Sequence, residues 1–259
     1  MRIHVLQMRR RLRRFSDRLF PPRGWGSDLL TSHVDTLLRN AQSTYRCHPG
    51  SLHRLIRLDG AFSGLITSLS ASHVSLFPGS LVHRAHSAII VGSTLASARL
   101  VPEAYAVLRS SLESALYAWH MDRDPAALAA WRDRFRDPTT CKKHFAYAPL
   151  RDALLLEQPA TGKDLSRLYE WTIDMGAHPN IGGMLQGLLL PSESGFTRPA
   201  TLYFAHRDRD LKICMNIAAR IGLCDLDVLS VIYPRQVEKV GLLRRIEEIR
   251  KTIGDPRDG

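Results

Sequence analysis

The chain has 259 residues, 44% of them hydrophobic and 24% charged. That balance excludes a disordered or low-complexity body and leaves enough apolar residues for one sizeable core. A charge-free apolar run at residues 88–98 is about half of the ~20 residues a membrane-spanning helix needs.

The formal charge is +11, but residues 1–26 carry eight arginines against the single acid Asp17. A net +7 therefore belongs to that segment and only +4 to the remainder. Leu6, Leu12, Phe15, Leu19 and Phe20 lie among Arg9, Arg10, Arg11, Arg13 and Arg14. Such a basic amphipathic segment suits a nucleic-acid backbone or an anionic membrane surface. The same composition fits an organellar transit peptide, and Met8 as a second initiator fits a poorly ordered start. No apolar stretch follows the positive charges, so a secretory signal is not read here.

Residues 27–259 read as a single all-α domain, a multi-helix bundle. Ser27 is placed to cap a first helix, in which Leu30, Val34, Leu37, Leu38, Ala41 and Tyr45 recur at helical spacing. His48-Pro49-Gly50 interrupts the pattern, and Ser51 caps a second helix with Leu55, Phe62, Ile66 and Leu69 inward. A loop over residues 70–79 precedes a third helix, about 81–98. Pro102 suits the first turn of a fourth, running to about Met121. Asp124-Pro125 opens another, with Leu128, Trp131 and Phe135 inward until Asp137-Pro138. Thr161 and Asp164 resemble a capping box at the start of a helix that runs to Met175 and ends at Gly176. Residues 183–204 break the helical pattern and read as either a small β-hairpin or an irregular insertion. Helix resumes at Leu211 and is expected to end at Gly222. A short helix then reaches Tyr233, and a charged one covers about 235–253, with Glu247 and Lys251 paired one turn apart.

Residues 104–119, AYAVLRSSLESALYAW, contain only two charges, Arg109 and Glu113. A surface helix would carry several, so this one is expected to be enclosed nearly all round. The two charges are one turn apart and can pair, and burial would demand further partners. The preceding helix offers His83, Ser87, Ile90 and Thr94 on one face, with His86 beside it. His178, after Gly176 and before Pro179, is a second candidate, with Asn180 next to it. Two readings of this cluster stay open. In one it is a structural salt bridge; in the other Glu113 is a general base, Arg109 an anion clamp and His178 an acid–base partner in a hydrolytic reaction. His83, His86 and Asn180 are the candidate binding residues. His83 and His86 stand three apart, yet the Glu-x-x-His signature of di-metal bundles is missing, so core or capping roles are expected.

Cys47, Cys141, Cys214 and Cys224 form no C-x-x-C pair and stand at no zinc spacing from a histidine pair. Reduced thiols, a cytoplasmic location and no metal site are the expectation. P-loop, Rossmann, G-x-S-x-G, H-E-x-x-H and EF-hand patterns do not occur, and no cofactor is expected.

His83, Arg84, His86, Arg109, Glu113, Tyr169, His178 and Pro179 together resemble a group of bacterial all-helical proteins. That group is loosely similar to the HEPN superfamily of helical RNases and defence proteins. The resemblance spans roughly residues 80–180 and implies a helical fold with a regulatory or defence role. HEPN nucleases carry an arginine and a histidine with four to six residues between them, which act at the RNA phosphate. Arg136 to His144 and Arg198 to His206 have seven residues between them, so this motif is not expected here. Three functions remain: a binding or regulatory module with a structural Arg–Glu–His cluster, a hydrolase or ribonuclease using Arg109, Glu113 and His178, or a nucleic-acid or membrane binder acting through the tail. A homo-oligomer is compatible with each.

Overall fold

A computed structural model describes residues 21–72, 75–177, 181–186, 188–189 and 200–253. They form an all-α bundle, as the punctuation predicts. Four long helices come first: α1 (Leu29–Cys47), α2 (Pro49–Ser70), α3 (Leu76–Ser97) and α4 (Val101–Arg123). Shorter ones follow: α5 (Pro125–Arg132), α6 (Pro138–His144), α7 (Tyr147–Glu157) and α8 (Pro159–Thr172). After a wide turn over Ile173–Ala177 come α9 (Ile181–Gln186) and two short strands, β1 (Leu188–Leu189) and β2 (Ala200–Thr201), paired antiparallel. The chain closes with α10 (Asp208–Ile232), α11 (Pro234–Lys239) and α12 (Leu242–Arg250). None of the helices among the described residues is long and apolar enough to cross a membrane.

Local chemistry moves several boundaries. Asp28 caps α1, accepting from the Thr31 N–H at 2.9 Å, because the Ser27 hydroxyl instead donates to the Gly24 carbonyl. Ser51 lies inside α2, whose first residue is Pro49, and its oxygen accepts from Arg54. Helix α8 likewise begins at Pro159, so Thr161 and Asp164 sit within it and Asp164 pairs with Arg167. Helix α5 stops at Arg132, which leaves Phe135 beyond the inner stripe and 86% exposed.

The largest departure is Gly222, which does not end a helix. It lies mid-way in the 25-residue α10, and a Cβ there would come within 2.2 Å of Leu58 Cδ2 on α2. The glycine is a crossing point, where the absent side chain lets two helices touch. Gly241, with φ +60, splits the terminal helix instead. There Glu247 pairs with Arg250 at 3.3 Å, and Arg250 also reaches Asp227 at 2.6 Å.

Helix α4 is the hub. Its buried side include Ala104, Tyr105, Leu108, Ser111, Leu112, Ser114, Ala115, Leu116, Ala118 and Trp119, so the expected enclosure is present. Gly92 on α3 brings that helix close, since a Cβ there would meet Leu108 at 2.6 Å. The connection from α3 to α4 turns at Arg99, a non-glycine residue at φ +70, with the Leu100 N–H bonded to Leu95 and that of Arg99 to Ala96. The left-handed strain costs on the order of 1 kcal/mol. It is offset by ties to the start of α10: Arg99 pairs with Asp208, and its carbonyl accepts from the Ala205 N–H at 2.8 Å.

One polar pin crosses the core. Asp225 of α10 is fully buried, with its Oδ2 2.5 Å from Ser111 Oγ, and Ser111 Oγ lies 2.8 Å from the Ala85 carbonyl. One hydroxyl proton cannot serve both acceptors. Protonated Asp225 resolves the conflict: its carboxylic O–H donates to Ser111, and Ser111 donates to Ala85. Burial pushes the Asp225 carboxyl up to about 8. A group raised in the folded state contributes most below its unfolded value near 4. Its share then falls by about 1.4 kcal/mol per pH unit until the folded value is passed. Asp225→Asn should therefore flatten the decline in stability between pH 5 and pH 8 and raise stability at pH 8, measured by urea unfolding. An unchanged slope would show that the carboxyl is ionised in the native core.

Candidate functional site

Arg109 and Glu113 face α8 from the middle of α4. The Arg109 Nε–H donates to Glu113 Oε1 at 2.9 Å, and the Tyr169 hydroxyl donates to the same oxygen at 3.2 Å. The guanidinium carbon lies 5.1 Å from the centre of the Tyr169 ring, within cation–π range. Tyr169 in turn stacks on Tyr147, the first residue of α7, with ring centres 3.6 Å apart and planes 12° apart. One turn after Glu113, Tyr117 donates to the Phe145 carbonyl at 3.1 Å and packs edge-on against Trp131 and Phe145. The cluster thus joins α4 to α7, α8 and the segment after α6.

Its electrostatics suit a clasp. The Arg109 and Glu113 side chains are 23% and 29% exposed, so the pair is neither dry nor in open water. Partial burial pulls the Arg109 guanidinium down, but bonding to Glu113 more than offsets this and holds it above its ordinary value. Burial, then the Glu113 carboxylate, pushes the Tyr169 phenol up. Burial likewise lifts Tyr117 to about 12. Near neutral pH these phenols act as donors.

His83 and His86 stand elsewhere. His83, Ser87, Ile90 and Thr94 are exposed, because α3 turns Leu81, Val82, Ala85, Ala88, Ile89, Gly92 and Ala96 inward instead. His86 pairs with Asp59 of α2 at 2.7 Å and stacks on Phe62, so it joins α2 to α3 and not to the Arg109 cluster. His178, Pro179 and Asn180 lie outside the described residues, as do Arg9, Arg10, Arg11, Arg13 and Arg14. The turn leading towards His178 is described as far as Ala177. Gly176 there has φ +149, and a Cβ on it would meet Pro102 Cα at 2.6 Å, so only glycine fits the approach to the start of α4.

Contrary to expectation, the nuclease spacing occurs once. Arg46 and His53 have six residues between them, but they sit on α1 and α2, on either side of the break at His48, and both are exposed. The pair is therefore not carried on one continuous helix.

Two further features carry chemistry. A cleft of about 280 Å³ is lined by Val101 and Tyr105 of α4, Trp171 of α8, Met175, Leu185 of α9, and Arg207, Asp210 and Ile213 near the start of α10. Among the described residues, His120, Asp124 and His144 bring ligand atoms together within 4.8 Å. The sequence held half of that signal, a histidine and an aspartate four apart at a helix end. The third member, His144, is distant in sequence. Tyr147 and Asp225 were also missed, since an isolated tyrosine or aspartate shows no periodicity that reveals its partner.

Compared with protein-family models, with curated proteins and with solved structures, the chain has no match.

A double-mutant cycle tests the clasp. Glu113→Gln and Tyr169→Phe should each destabilise the fold, with a coupling of about 0.5–1.5 kcal/mol in urea unfolding. Strict additivity would mean that the two side chains do not share a bond in solution.

Proposed function

We propose that this chain is a non-catalytic helical binding or regulatory module, with the Arg109–Glu113–Tyr169 cluster acting as a structural clasp. The observation that carries this reading is the double use of Glu113 Oε1, which accepts from both Arg109 and Tyr169. A general base needs a carboxylate poised on a substrate proton; the Oε1 of this one is engaged in holding α4 to α8. The HEPN-like resemblance, a cytoplasmic location and a regulatory role belong to the same proposal. An Arg–Glu pair one turn apart on an enclosed helix supports the resemblance.

Recognition then falls to the cleft at the α4–α8–α10 end. Tyr105 and Trp171 offer aromatic surface there, Ile213 and Leu185 apolar walls, and Arg207 and Asp210 polar groups. Such a mixed lining suits a small molecule with an apolar ring and a polar group. The test uses anilinonaphthalene sulfonate as a probe with the folded protein. Its fluorescence should rise on binding with a saturable, single-site titration, and Leu185→Asp should weaken binding at least tenfold while the melting temperature holds. No enhancement, or enhancement indifferent to Leu185→Asp, would remove the cleft as the recognition site.

A further inference from the structure

We propose that His120, Asp124 and His144 form a binding site for a divalent transition metal ion, with zinc as the ion that the ligand set suits. The three side chains come from the last turn of α4, the cap of α5 and the last residue of α6. His120 Nε2 lies 3.9 Å and His144 Nδ1 3.5 Å from the same carboxylate oxygen, Asp124 Oδ2. Zinc held at about 2.0–2.1 Å from nitrogen and oxygen ligands in tetrahedral geometry keeps those atoms roughly 3.3 Å apart. To reach it, the His144–Asp124 spacing contracts by about 0.2 Å and the His120–Asp124 spacing by about 0.6 Å, while the two imidazole nitrogens start within 4.8 Å of each other.

The division of labour within Asp124 supports this reading. Its Oδ1 caps α5 by accepting from the Ala126 N–H at 2.8 Å, which leaves Oδ2 turned towards both imidazoles. The cap fixes the carboxylate before any ion arrives, the kind of outer support that orients metal ligands. His120 adds an independent sign. Its Nε2 is buried and has no hydrogen-bond partner among the described residues, although buried polar atoms are ordinarily bonded. A metal ion between the three would give that nitrogen its partner.

The surroundings accept a cation. The 23-residue α4 ends at Arg123, so its negative dipole end lies beside His120. The nearby Arg123 guanidinium is occupied by Glu157 and by the face of the Trp119 ring. Phe145 packs edge-on against His120 at 5.6 Å and limits the movement of its ring. The Asp124 side chain is 36% exposed and that of His144 27%, which gives an ion a route from solvent. Three protein ligands leave a tetrahedral ion one position for water or a partner's donor, as in sites where zinc acts as a Lewis acid.

The test is zinc titration of the full chain by calorimetry, with melting temperature as a second readout. The proposal predicts one zinc ion per chain at micromolar concentration or tighter, and a rise in melting temperature on binding. Asp124→Asn keeps an oxygen for the α5 cap but removes the charged ligand, so its fold should hold. It and His144→Ala should each weaken binding about 100-fold or more, while His83→Ala, at an exposed histidine, leaves it unchanged. Absence of binding at micromolar zinc, or binding that survives both Asp124→Asn and His144→Ala, would overturn the assignment.

Discussion

The structure depends on enclosing α4. A helix with two charges in its central sixteen residues cannot face water along any large part of its surface without loss. Its neighbours α3, α8 and α10 cover it, and the molecule is arranged around that cover. Gly92 sets the approach of α3 to α4. Gly222 lets α10 cross Leu58 of α2. The Ser111–Asp225 bond fixes α4 against α10 with a directional contact inside an otherwise apolar interface. Each device serves close approach, because dispersion and apolar burial reward contact at van der Waals distance and nothing looser.

The same constraint explains where the polar residues stand. Arg109 and Glu113 occupy the edge of α4 that packs least tightly, and the tyrosines of α7 and α8 complete their bonding. His120, at the end of α4, meets the α5 cap and the end of α6, where the bundle opens to solvent. Among the described residues, the aromatic cleft stands at the start of the central helix and the histidine–aspartate group at its finish.

Much of the architecture was legible in the chain order of residues, because proline, glycine and apolar periodicity are local signals. Pro102 and Asp124-Pro125 mark helix starts, and the 104–119 stretch announces its burial by its lack of charge. Local signals failed where tertiary contact decided the outcome. Gly222 looks like a terminator until Leu58 is placed against it. In α1 the stripe of Leu30, Leu38 and Tyr45 has helical spacing, yet these residues are 72%, 52% and 61% exposed. Periodicity predicts a helix but does not say what covers its apolar face. The cluster around Glu113 was half legible. The i,i+4 pair with Arg109 follows from helix geometry, whereas Tyr169 as the third member follows only from how α8 lies on α4. His83 was misassigned for the same reason, since a helix with small residues on several sides offers more than one face for burial.

Native-state hydrogen exchange along α4 tests the central claim most directly. Amides of residues 108–118 should exchange only through global unfolding, with protection free energies equal to the stability from urea unfolding and above those of α1. Exchange from the middle of α4 through a lower-energy opening, at the level of α1 or below, would contradict the account.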